Sequence, residues 1–358
     1  MNNKYLIFAG VIALLATLVG AGLLVASEFA TNNEETSDLK LAASIFPVGD
    51  IAENIAGRNA EVVTILPAGA SPHTYEPSAS EQAELSDADS LFLIGLDFDN
   101  WAKESAESAN SDIRMVDLSE SVDLMEYSDG HRHNHNDEHD HHEEDHHHKD
   151  DHHQEEDHED GTHSDEEHKE GEYKEEGAHN EGGEHSHSHE GDDPHYWLSV
   201  SNAKLIAEAV KNELVALDEA NKDDYVQNYE NYVAELEELE QEVAGRFADS
   251  ERNEIITFHG AFNYMAEEQG LEVVAVVEEF PGQSPSASYI QEVGEVIEDY
   301  EIRTLFKEPQ LSEEIVSALA SDFDARVETL DPVGGVEGRN SYLELIRYNS
   351  EIIAGTIQ

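Results

Sequence analysis

From residue 40 onward the chain alternates short, β-branched apolar runs with longer stretches in which apolar residues recur every three or four positions. The first runs are LAASIF (41–46), EVVTIL (61–66), SLFLIG (90–95) and IRMV (113–116). The same alternation returns after residue 250 with EIITF (254–258), EVVAVV (272–277), TLFKE (304–308) and RVETL (326–330). Strand-length runs separated by helix-period segments predict mainly parallel α/β sheets. Two α/β lobes are expected.

Between the two sets of runs lie two helical patterns. Residues 202–217 place Ala203, Ile206, Ala207, Val210 and Leu214 on one face. In 223–247, Tyr225, Tyr229, Tyr232, Leu236, Leu239 and Val243 step alternately by four and three, with no Gly or Pro before Gly245. That period is one uninterrupted amphipathic helix. It fits a stiff link between lobes and equally an ordinary long surface helix. The expected organisation is an amino-terminal lobe over 40–222, a linking helix over 223–248 and a carboxy-terminal lobe over 249–358.

The amino terminus has a different pattern. Residues 5–26 are uncharged and mostly apolar, with Lys4 before them and Glu28 as the first charge after them. Such a run is a secretory signal or an uncleaved signal anchor, and it is long enough to span a bilayer, for which roughly 20 residues suffice. Residues 1–27 are therefore assigned to a signal peptide or anchor and 28–39 to a polar tether, which places the lobes outside the cytoplasm.

Charge changes the picture next. The chain carries 82 acidic and 19 basic residues, a net of −63. That excludes binding nucleic acid or an anionic membrane through a basic footprint and favours cationic ligands. Residues 131–193 hold 25 acidic and 4 basic side chains, a net of −21, so the lobes are acidic in their own right. There is no cysteine, which rules out disulfides and zinc–thiolate sites.

Histidine is distributed unevenly. Eighteen of the 21 lie between residues 131 and 189, in a tract too polar to bury enough surface to offset its ordering entropy. A disordered loop is expected over 131–193. It is either a plain solvating insertion or a metal-collecting arm, because imidazoles among carboxylates make many weak sites for zinc, copper or nickel. The auxiliary positions are His131, His133, His135, His141, His142, His146, His147, His148, His152, His153, His185, His187 and His189.

The other three histidines occupy places of another kind. His73 follows the run at 61–66, His259 directly follows 254–258, and His195 lies in DDPHYW, where the tract gives way to ordered sequence. Asp331 holds the matching position after 326–330. In open α/β sheets ligands bind at the carboxyl ends of strands. Any one of these residues alone reads as a hydrogen-bonded structural histidine, or as an aspartate that starts a turn. As a set, three imidazoles and one carboxylate fit a tetrahedral Zn²⁺ shell.

The segments SIFPVGDIAENIAG, LPAGASPHTYEPS, DPHYWLSV, FHGAFNYMAEEQGL, EEFPGQSPSASYI, FKEPQLSEEI and LDPVGG follow one another along residues 40–358. In this order they resemble the metal-specific solute-binding proteins of ABC importers, which bind zinc or manganese. The resemblance implies two α/β lobes joined by one long rigid helix, with metal in the cleft between them. It carries the ligand positions onto His73, His195, His259 and Asp331. His rather than Glu at the third position, and a His-rich loop ahead of the second, are similar to the zinc branch.

The implied function is capture of Zn²⁺ by a monomer at the outer face of the cytoplasmic membrane and delivery to an ABC permease. The chain has no GxxxxGK[ST] phosphate loop, so ATP hydrolysis belongs to another polypeptide. Two departures stand out. Relatives are often tethered through a lipidated cysteine that this chain lacks, and some fill the fourth position with a loop carboxylate or water, for which Glu76 is the substitute here. The alternatives are a manganese-type binding protein, an extracellular zinc buffer or adhesin, and a zinc hydrolase with Glu278 or Glu279 as base. The last lacks an HExxH arrangement.

Overall fold

All eight apolar runs form strands, and every pairing between them is parallel. The computed structural model describes residues 39–127, 191–279, 281–310 and 314–357. The apolar run at 5–26, residues 28–38 of the tether and residues 131–190 of the histidine tract lie outside the described residues. Residues 191–193, expected to belong to the disordered loop, are ordered instead: Asp192 bridges to Glu126 and Asp193 is fully buried. Among the described residues, no helix is long and apolar enough to cross a membrane.

The first half contains a four-stranded sheet of β1 (Lys40–Ala43), β2 (Glu61–Thr64), β3 (Ser90–Leu93) and β4 (Arg114–Asp117), in the order β2-β1-β3-β4. Helices α1 (Phe46–Ala56), α2 (Ala79–Ser86) and α3 (Asn100–Ala109) make the crossovers. Pro47 sits in the first turn of α1, where its missing N–H costs nothing. Ser78 and Glu81 close a capping box on α2.

The second half repeats the pattern with β5 (Glu254–Thr257) paired to β6 (Glu272–Val276) and β7 (Thr304–Lys307) paired to β8 (Arg326–Thr329). β5 also packs beside β7. Around these strands run α6 (Asn263–Gln269), α7 (Ala287–Asp299) and α8 (Glu314–Asp322). Ile256, Phe258, Val293, Ile297 and Leu305 form a separate apolar cluster here.

Between the halves come α4 (Val200–Leu217) and α5 (Lys222–Phe247). The 26 residues of α5 span about 39 Å. Its seam buries Tyr225, Tyr232, Leu236, Leu239, Val243 and Phe247. Tyr229 departs from the sequence expectation: it is half-buried, and Lys211 Nζ lies 4.4 Å over its ring. The helix packs against α1, α4 and the last helix, α9 (Tyr342–Ala354). The helix is therefore held by elements from both ends of the chain.

α9 also ties back to the start of the sequence. Tyr342 N–H donates to Asp50 Oδ2 at 2.8 Å, and Tyr342 O–H donates to the carbonyl of Trp197 at 2.9 Å. Burial pushes the Asp50 carboxyl up to about 6, against the opposing Tyr342 hydrogen bond.

Because Leu236 is fully buried in the α5 seam, Leu236→Ala should lower stability by about 2–5 kcal/mol. Urea unfolding followed by tryptophan fluorescence measures this. A loss under about 0.5 kcal/mol, typical of surface positions, would mean the seam is not core.

Candidate metal centre

Each of the three histidines outside the tract is placed by a different device. β2 ends at Thr64, and the chain turns at Pro67 into the loop that carries His73. Trp101 pins that loop by donating its indole N–H to the carbonyl of Pro72 at 3.0 Å. The Phe98 ring stands edge-on to the His73 imidazole, with centroids 5.1 Å apart.

His195 immediately precedes a 3₁₀ turn, Tyr196–Leu198, whose aromatics are fully buried. Tyr196 O–H donates to the carbonyl of Ile94 at 2.6 Å, and the Trp197 indole N–H donates to that of Pro332 at 2.8 Å. These two bonds connect the turn to the end of β3 and to the loop after β8. His259 follows β5, and Gly260 comes next because a Cβ there would strike the ring of Tyr127.

Among the described residues, His73, His195 and His259 form one group whose nitrogens lie within 4.8 Å of one another. The Nε2 atoms of His195 and His73 are 3.4 Å apart, and those of His259 and His195 are 3.3 Å apart. His195 and His259 are almost wholly buried, while His73 is half-buried. They share one cavity with Ser71, Trp197, Glu308 and Gln310.

Two carboxylates fix the orientation of the buried rings. His195 Nδ1 lies 2.8 Å from Asp193 Oδ1, and His259 Nδ1 lies 2.6 Å from Glu308 Oε1. Both acids are buried. A carboxylate only accepts, so each Nδ1 carries the hydrogen and each Nε2 turns its lone pair to the centre. Asp193 is held in turn by Asn263 Nδ2 at 2.9 Å and, through its carbonyl, by Tyr264 O–H at 2.9 Å.

The two imidazoles are tuned in opposite directions. Burial holds His195 below its ordinary value, with Asp193 pulling the other way. For His259, burial is again the largest single influence and disfavours the charged ring. Glu308, with lesser help from Asp193 and Glu278, outweighs it and leaves His259 above its ordinary value. Two facing lone pairs at this separation require something positive between them. A proton on His259 Nε2 can serve, and so can a metal ion, which suits imidazole nitrogen.

Asp331 lies in a different arrangement from the one its position after β8 suggested. Its Oδ1 accepts from Val333 N–H and Gly334 N–H, both at 3.0 Å, and from Gln310 Nε2 at 2.9 Å. Its Oδ2 lies 2.8 Å from Arg339 Nε, a charge contact in which the N–H is not aimed along a hydrogen bond. The carboxylate closes the turn at Gly334 and Gly335, which both have left-handed φ of 76°. It is not one of the converging groups. Glu76 is exposed and outside the group as well. The auxiliary histidines of 131–189 lie outside the described residues.

Asp193 and Glu308 are the residues that sequence reasoning passed over. Asp193 stands two residues before His195, and Glu308 at the end of the β7 run. The available signals were an acid two residues from a suspected ligand and an acid at the end of a strand run. Glu278 is also buried, accepts from Gly282 N–H at 3.2 Å, and is raised by its burial.

The family described as "ZnuA: Zinc-uptake complex component A periplasmic" matches residues 41–356. The chain belongs to this family. Its members are extracytoplasmic metal-binding components of ABC importers, so the chain is a binding component and not an enzyme. It is 24% identical to a manganese-binding lipoprotein MntA of Halalkalibacterium halodurans, over 97% of this chain and 96% of that protein. It is 24% identical to a zinc-binding protein AdcA of Streptococcus pyogenes, over 88% of this chain and 55% of the relative's length. A crystal structure of ZnuA superposes with a TM-score of 0.68 at 25% identity, covering 89% of this chain and 99% of that one. The fold shared with the family is mixed α/β with parallel sheets and a long helix.

Replacing Glu308 by Gln removes the charge that opposes burial at His259. The His259 pKa should then fall from above to below its ordinary value. A pH titration of the imidazole nitrogens by NMR in the metal-free protein reads this directly, and an unchanged pKa would show that Glu308 is not the source of the shift.

Proposed function

We propose that the chain captures Zn²⁺ through the Nε2 atoms of His73, His195 and His259 and delivers it to an ABC permease in the membrane. The observation that carries this reading is the spacing of those nitrogens. With Zn–N bonds of about 2.0–2.1 Å, a tetrahedral shell has nitrogen–nitrogen edges of about 3.3–3.4 Å. The two edges at His195 are 3.3 and 3.4 Å.

The donor set supports zinc over manganese, because three neutral imidazoles suit Zn²⁺ whereas Mn²⁺ prefers carboxylates. Kinship with a manganese-binding lipoprotein makes manganese the second reading. Residues 40–222 and 249–358 act as the two lobes, with the long helix α5 as a stiff connection that limits their relative motion. Residues 5–26 export the chain and either anchor it or are cleaved. The protein works as a monomer, and the tract at 131–189 serves as a metal-collecting arm.

Binding requires neutral imidazoles. His259 lies above its ordinary value, so its protonation competes with metal at a higher pH than for a free imidazole, whose pKa is about 6.5. Zinc affinity should be constant well above that value and fall as pH drops through the His259 pKa. Below it, about one proton should be released per zinc bound at this nitrogen.

The test is competitive titration of Zn²⁺ and Mn²⁺ into residues 40–358 lacking 131–191, with and without His259→Glu. One tight zinc site should survive the deletion and be weakened by the substitution, with manganese gaining relative to zinc. Loss of all tight binding on deletion alone would move the function to the tract and replace import with metal buffering.

A further inference from the structure

Resting on the zinc reading above, we infer that the fourth ligand is the side-chain carbonyl of Gln310, and that Asp331 holds this amide in place without touching the metal. Gln310 is half-buried and lines the same cavity as the three imidazoles. Asp331 does not line it.

The orientation of the amide follows from its partner. Gln310 Nε2 donates to Asp331 Oδ1 at 2.9 Å. The opposite flip would set two acceptors against each other, so the nitrogen faces Asp331 and the carbonyl oxygen faces away. That oxygen, Oε1, is shielded from solvent and has no hydrogen-bond partner among the described residues. A buried acceptor left unpaired is costly and rare. At the wall of a cavity lined by three nitrogen donors, a cation is the partner that would satisfy it.

Asp331 is committed elsewhere. Releasing it toward a metal would break three hydrogen bonds to Oδ1 and separate Oδ2 from the Arg339 guanidinium. Arg339 is itself stacked 4.4 Å over the Tyr348 ring, whose O–H is bonded to the carbonyl of Thr329 at 3.1 Å. Asn349 clasps the Asp331 backbone on both sides, donating to its carbonyl at 2.7 Å and accepting from its N–H at 2.9 Å. The result is an ordered chain from Tyr348 through Arg339 and Asp331 to Gln310.

The shell would then be three imidazole nitrogens and one neutral amide oxygen, with the balancing negative charge one bond removed, on Asp193 and Glu308. A neutral oxygen in the fourth place makes Gln310 a specificity-determining residue. Exchanging it for a carboxylate would favour manganese.

The experiment compares the full chain with Gln310→Met, Gln310→Glu and Asp331→Asn. Zinc affinity is read by chelator competition strong enough to keep weaker sites empty, and the Co²⁺ absorption bands are recorded at one equivalent of cobalt. Gln310→Met should weaken zinc by about tenfold or more and shift the cobalt bands. Gln310→Glu should raise manganese affinity relative to zinc. Asp331→Asn keeps an oxygen that can accept from Gln310, so it should stay within about threefold of wild type with the same cobalt bands. Melting curves of the metal-free variants separate any folding defect at Asp331 from a change of ligand.

Unchanged affinity and bands in Gln310→Met would overturn the assignment. So would a band shift in a folded Asp331→Asn protein, which would make the carboxylate the ligand. Failure of the underlying zinc reading looks different: the wild-type chain would then lack a tight site that His259→Ala abolishes.

Discussion

Two buried hydrogen bonds, Asp193 to His195 and Glu308 to His259, govern the chemistry of this molecule. Without them either imidazole could present N–H or lone pair to the centre, and each would be free to rotate. With them, both rings offer a lone pair, and the electrostatic conflict between those lone pairs makes the site receptive to a cation. The same carboxylates place negative charge beside a future divalent ion without occupying its coordination sphere. Selectivity and charge balance can therefore be set by different residues.

The scaffold supports those bonds at a distance. Trp197, Tyr196 and Tyr342 are fully buried and use their polar atoms to link the ends of β3 and β8 and the turn that carries His195. Polar atoms on large aromatics do two jobs at once here: the ring fills the core and the N–H or O–H fixes a loop. The α5 seam lies behind this cluster and packs on both α1 and α9. An error in packing there would be transmitted to a ligand-bearing turn through rigid side chains.

Much of this was legible in the sequence, for a definite reason. Strand runs and the α5 seam are periodic signals, set by one-dimensional spacing, and all eight runs became strands. The three histidines stood out because each comes shortly after such a signal or after the end of the tract. What resisted reading was pairing across distance. Asp331 occupies a strand end like His259, yet an aspartate ahead of Pro-Val-Gly-Gly satisfies its own loop's amides first, and Arg339 eight residues on completes the capture. Glu308 is its converse, an acid inside an apolar run whose purpose appears only when β7 lies beside β5. Tyr229 fits the seam's spacing but falls at its edge, because a spacing pattern gives direction and not depth. The membership inferred from seven motifs was sound because their order constrains far more than any one of them.

The antiparallel bridge between Glu126 and Asp192 brings together the two points where the chain leaves and re-enters the described structure. Tyr127 N–H donates to Gly191 O at 3.0 Å, and Asp193 N–H donates to Met125 O at 2.7 Å, which staples the junction. Loop closure costs grow only with the logarithm of length, so with its ends fixed in this way the intervening segment can be shortened, lengthened or exchanged at small cost to the fold. Evolution can vary that segment from habitat to habitat, and a protein engineer can splice a reporter domain into it, while the neighbouring Asp193 and the imidazole it orients stay where they are.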